Sequence, residues 1–149
     1  MNTTLNASMD ELATLLGMTA FPHQQWPVSL TIDKKIAVHI NPLSDEQLVL
    51  FCSAGTLPDE RSIRVLMRDN LFSTDALRPR LCLTNDKLTD DEKLMVWIQL
   101  PAQSISGQQI YQALMRLIKS AQGWQIWLAD ASTTPNDTTH PPGFNVIQV

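Results

Sequence analysis

The sequence predicts an α+β fold in the order α-β-β-β-α-β-β-α, a twisted and mostly antiparallel sheet packed with three helices. Two observations predict it. Three segments repeat apolar residues every three or four positions, as one face of a helix requires. Between them lie five short runs that alternate apolar with polar side chains or are apolar throughout, and Gly, Pro and short polar clusters break the chain at their ends.

The first helix is expected from Ser8 to Leu16, where Met9, Leu12 and Leu16 share a face. Ser8-Met9-Asp10-Glu11 has the form of a capping box, and Gly17 is placed to stop the helix. After Phe21-Pro22 and Trp26-Pro27, Val28, Leu30 and Ile32 alternate with polar residues. Ile36, Val38 and Ile40 do the same beyond the polar Asp33-Lys34-Lys35, so the two runs form a hairpin. Residues 47–53 contain the continuous run Leu48-Val49-Leu50-Phe51-Cys52, which reads as a central strand covered on both faces.

Gly55 and Pro58 mark the next boundary, and the second helix is expected from about Pro58 to Phe72. Its apolar stripe is Ile63, Leu66, Met67 and Leu71, opposite Arg61, Arg64 and Arg68. Arg80 to Thr84 makes a brief edge strand in which Leu81 and Leu83 point one way. In Lys93 to Leu100, Leu94, Val96, Ile98 and Leu100 line one face and Met95 and Trp97 the other, which implies a neighbour on both sides. From Ser104 to about Asp130 helical spacing returns through Ile110, Leu114, Leu117, Ala121, Trp124 and Leu128. One domain over residues 1–130 is therefore expected, with residues 131–149 as a flexible C-terminal tail.

A formal net charge of -4 argues against nucleic-acid binding, because such proteins neutralise phosphates with clustered Lys and Arg. No apolar run reaches the ~18 residues of a membrane span, and the N-terminus lacks the basic start and apolar stretch of a signal peptide. A cytoplasmic protein without membrane insertion is expected. Cys52 and Cys82 both lie in apolar runs, where a small buried thiol is the ordinary reading.

Catalytic chemistry has little to work with. His23, His39 and His140 have no metal-site spacing, and the acidic Asp90-Asp91-Glu92 reads as a solvated turn. The five glycines stand singly, so no phosphate-cradling loop exists. No cofactor, no metal and no enzyme activity are expected. The one alternative is a thiol–imidazole pair of His39 and Cys52, which neighbouring strands could bring together.

Several stretches resemble the class I type III secretion chaperones, the Tir-chaperone or CesT-like family, over about residues 8–130. Met9-Asp10-Glu11-Leu12-Ala13-Thr14-Leu15-Leu16-Gly17 looks like the opening helix of that family. Leu30-Thr31-Ile32-Asp33, followed by Val38-His39-Ile40, is similar to its first strands. Leu66-Met67-Arg68-Asp69-Asn70-Leu71-Phe72 resembles the end of its middle helix, and Trp97-Ile98-Gln99-Leu100-Pro101 the strand before its last helix.

The resemblance implies a bacterial cytoplasmic chaperone that binds the N-terminal segment of secreted effector proteins, keeps it extended and soluble, and delivers it for export. It implies a homodimer formed through the middle helix and the following strand, which makes Ile63, Leu66, Met67, Leu71, Leu81 and Leu83 the interface candidates. Leu12, Leu16, Val28, Leu30, Ile32, Val38 and Ile40 are the candidates for effector pockets, some of them necessarily core. The secretion ATPase is a further expected partner. An adaptor or regulatory module of the same fold, binding folded partners, is the alternative.

Overall fold

The computed structural model describes residues 3–21, 25–70, 74–85 and 91–133. The elements follow in the expected order: α1 (Thr3–Leu15), β1 (Val28–Ile32), β2 (Ile36–Pro42), β3 (Gln47–Thr56), α2 (Arg61–Asp69), β4 (Arg80–Asn85), β5 (Glu92–Pro101) and α3 (Gly107–Thr133). All five strands form one sheet in the spatial order β1-β2-β3-β5-β4, and every pairing is antiparallel. β4, expected at an edge, is one of the two edge strands.

The β1–β2 hairpin closes as a tight turn, with Lys35 N–H donating to Ile32 C=O at 3.0 Å. Asp33 and Lys34 both take positive φ (51° and 57°), the geometry whose twist matches that of the strands it joins. Register then carries one apolar face across the sheet: Val28 opposite Ile40, Ile40 opposite Leu50, and Leu50 opposite Ile98. β3 runs past Ser53 through a bulge at Gly55 (φ 137°), which the sequence had suggested as a boundary. Leu128 of α3 lies 3.3 Å from where a Gly55 Cβ would sit, so the absent side chain also makes room for the helix.

α3 packs on β3 and β5, and α1 packs on α3. Ile110, Ala113, Leu114, Leu117, Ala121 and Trp124 of α3 are fully buried there, together with Met9 and Leu12 of α1. Both helices thus cover the same face of the sheet, and the core lies between them and it.

Ser8 and Glu11 do not form the expected capping box, because α1 begins at Thr3 and both residues sit inside it. Ser8 Oγ instead donates to the carbonyl of Ile105, and Glu11 Oε2 accepts the Gly107 N–H at 2.7 Å. The two side chains therefore dock α1 onto the start of α3. That helix carries the real capping box: Ser106 Oγ accepts the Gln109 N–H at 3.1 Å, and Gln109 Oε1 accepts the Ser106 N–H at 2.9 Å. The expected stop of α1 holds: Gly17 (φ 71°) and Met18 return N–H bonds to Thr14 and Ala13, the two-bond ending of a Schellman motif.

α2 is shorter than the fifteen or so residues expected from periodicity, spanning nine. At its start the Asp59 carboxylate takes both the N–H and the hydroxyl of Ser62 at 3.1 Å. Ser62, Leu66 and Asp69 make its buried side. The apolar stripe inferred from sequence is consequently split: Leu66 is 4% exposed, whereas Met67, a further 100° round the helix, is 70% exposed. Leu71 lies outside the described residues.

The two cysteines also part company. Cys52 is buried, but Cys82 is exposed on β4, contrary to expectation, because alternation along an edge strand turns it away from the core.

Candidate functional site

The face of the sheet opposite α1 and α3 carries one continuous row. Ser29, His39, Phe51, Trp97 and Arg80 are successive cross-strand partners, one from each strand. Ser29 Oγ and His39 Nδ1 are 2.8 Å apart, and the His39 and Phe51 rings lie 5.1 Å apart at a tilt of 33°. Val49 and Met95 join Phe51 and Trp97 in an apolar band on the same face, each half-buried by its neighbours in the sheet. Large apolar side chains held side by side on rigid strands, with the core helices on the other face, are what an apolar partner needs.

A second surface lies at β4 and α2. Asn70, just past α2, uses its side-chain amide as a strand would: Nδ2 donates to Leu81 C=O and Oδ1 accepts Leu81 N–H, both at 3.0 Å. Arg78 donates to the Asp69 carbonyl at 2.7 Å and lies 3.8 Å from its carboxylate. Burial raises the Asp69 carboxyl above its ordinary range, and the Arg78 charge acts against that shift. Arg116 of α3 holds Asp75 in the α2–β4 connection at 2.7 Å, and that bond is the main cause keeping the Asp75 carboxyl below its usual range. On the outside of this anchored corner, Ile63 and Met67 sit in a shallow concavity with Glu60, Arg64 and Arg68. Leu83, 39% exposed, adds apolar surface on β4.

The sequence profile of the Tir chaperone protein (CesT) family matches residues 8–125. The chain belongs to that family. Among solved structures, the type III secretion chaperone SycH of Yersinia pestis, in complex with a stable fragment of YscM2, superposes with a TM-score of 0.67 at 30% identity. That match covers 83% of this chain and 98% of the other. The ExsC–ExsE complex matches with a TM-score of 0.66 at 23% identity, covering 86% and 97% of the two chains. The ExoT–SpcS complex of Pseudomonas aeruginosa gives 0.63 at 22%, covering 82% and 97%. A comparison with curated protein sequences returns no match.

Within this Tir-chaperone fold the candidate pocket residues sort by burial. Leu12, Val28, Leu30, Val38 and Ile40 belong to the core beneath α1 and α3, whereas Leu16 and Ile32 are half-buried at its rim. Leu15 and Met18 stand exposed beside Leu16 at the end of α1. Of the interface candidates, Leu66 and Leu81 are buried within the chain, and Ile63, Met67 and Leu83 reach its surface.

His39 and Cys52 do not meet as an acid–base pair. Cys52 is the cross-strand partner of Val38 and points into the core, while His39 faces the other side with Phe51. Burial pushes the Cys52 thiol up to about 12, which removes the thiolate such a pair would need. No group of three or more His, Cys, Asp or Glu among the described residues could hold a metal ion.

Sequence reading missed Val49 and Phe51 as surface residues, since their run is apolar throughout and gives no clue to which face is covered. It did single out Met95 and Trp97 as a second apolar face. That signal leads to the aromatic row once the β3–β5 pairing is known.

Proposed function

We propose that this Tir-chaperone family protein is a cytoplasmic type III secretion chaperone that binds the N-terminal segment of one or more secreted effectors, keeps it extended and soluble, and presents it for export without catalysis. The observation that carries the reading is the match of the family over residues 8–125 on a fold whose sheet face opposite α1 and α3 holds the apolar side chains Val49, Phe51, Met95 and Trp97 of β3 and β5. Pre-formed strands present alternate side chains to an extended segment at fixed spacing. Burying apolar side chains there offsets the ~2–5 kcal/mol cost of ordering the client.

The chain works as a homodimer in this account, through the outside of α2 and the neighbouring β4. Ile63, Met67 and Leu83 supply the surface, and Leu66 and Leu81 hold it in place from beneath. Two copies double the length of apolar surface a single client can follow, so the effective concentration of the second half of the client rises without any new kind of contact. The secretion ATPase then receives the complex. No helix among the described residues is long and apolar enough to cross a membrane.

The test is to purify the tagged chain from its bacterial host, identify its companions by mass spectrometry and digest the complex with limiting protease. A larger protein protected only in its N-terminal segment is the expected outcome. A partner that resists digestion as a folded whole would contradict the reading.

A further inference from the structure

At the β4 end of the aromatic row lies a cavity of about 340 Å³ whose walls include Gln47, Arg78, Arg80, Trp97, Gln99 and Pro101. Among the described residues its lining holds two guanidinium groups and no carboxylate, in a chain whose formal net charge is -4. Arg78 is fixed by Asp69, at 2.7 Å to the carbonyl and 3.8 Å to the carboxylate, so part of its charge is answered within the chain. Arg80 has no acidic partner among the described residues, and it stands directly across the strand pair from Trp97. Gln99 Nε2 donates to Gln47 Oε1, which orients the two amides along the cavity wall.

We infer that this cavity takes the carboxylate side chain of an Asp or Glu in the bound client segment, while an adjacent apolar side chain lies on Trp97. A planar guanidinium matches a carboxylate with two parallel hydrogen bonds, and such a pair gives direction and register to a contact that apolar surface alone leaves loose. Two guanidiniums complement an acidic segment, and the homodimer surface proposed above does not compete for them: Leu83 pairs with Leu94 on the core side of the sheet, whereas Arg80 pairs with Trp97 on the opposite face. The inference rests on the client-binding reading above and adds to it a preference that one residue controls.

Random peptides displayed on phage, panned in parallel on the full-length wild type and on Arg80→Glu, test it. The wild type should enrich Asp or Glu next to apolar residues, and Arg80→Glu should lose that preference. For the best peptide, Arg80→Glu should weaken binding about tenfold or more, and exchanging the peptide's acid for Lys should restore most of it. Equal acid enrichment by both proteins, or no acid enrichment by the wild type, overturns the inference while leaving the chaperone reading in place. If the wild type selects no peptide at all, both fall. A change of sedimenting mass in Arg80→Glu would show that a second copy fills the cavity and would likewise overturn it.

Discussion

Glu11 and Gly107, ninety-six residues apart, are joined by a 2.7 Å hydrogen bond from the Gly107 backbone to the Glu11 carboxylate. The contact works only because position 107 has no side chain. A Cβ there would sit 2.6 Å from Glu11 Cβ and 2.7 Å from both Leu12 N and Ser8 O. Two of those three neighbours are α1 backbone, so the junction cannot relax by rotating a side chain.

Gly107→Ala should therefore destabilise the fold by about 1–3 kcal/mol, the cost of forcing atoms into a closed helix junction. Urea unfolding followed by circular dichroism reads this as a lower midpoint. A midpoint equal to wild type would mean that α1 is not seated on α3 as described.

Leu66 and Met67 are adjacent in sequence and opposite in fate. Leu66→Asp should cost the subunit several kcal/mol, because it buries a charge at a site 4% exposed. Met67→Glu, at 70% exposure, should leave the melting temperature of the isolated subunit nearly unchanged while weakening the proposed homodimer. Sedimentation velocity with thermal melts separates the two effects. An undiminished dimer in Met67→Glu would move the interface off α2.

Most of the fold was legible because it rests on local signals. The alternation of Val28, Leu30 and Ile32 and the helical spacing from Ile110 to Leu128 each name their own element. What could not be read depends on partners distant in sequence. Ser8 and Glu11 have the spacing of a capping box, and only the docking of α3 shows that they serve the next helix instead. α2 places apolar residues at 63, 65, 66 and 67, nearly all round a nine-residue helix, so its buried side is decided by the contact of Leu66 with the core. The row from Ser29 to Arg80 requires knowing that β5 inserts between β3 and β4, a pairing that no local pattern encodes.

Cys82 and Cys52 should differ in reactivity. Partial burial raises the Cys82 thiol, and full burial pushes that of Cys52 up to about 12. Near pH 8 an alkylating reagent should label Cys82 slowly and Cys52 only after unfolding; raising the pH towards 9 should speed Cys82 by increasing its thiolate fraction. Peptide mapping of the labelled protein provides the readout. Fast labelling of Cys52 in the native state would contradict its place in the core.

Asn70 closes the outer edge of β4 at Leu81 with two 3.0 Å hydrogen bonds. Asn70→Ala should cost about 1–2 kcal/mol and expose a backbone donor and acceptor on an edge strand. Hydrogen exchange should then show faster exchange of the Leu81 amide, with added association at high concentration. Unchanged protection would mean that this amide is shielded by something other than Asn70.

Hydrogen exchange on a purified complex with a co-expressed effector would show whether the protein holds its client extended. The effector's N-terminal segment should gain protection only when bound, together with slowed exchange in β3 and β5 around Phe51 and Trp97. A client segment equally protected when free, or protection confined to other surfaces of the chaperone, would contradict it.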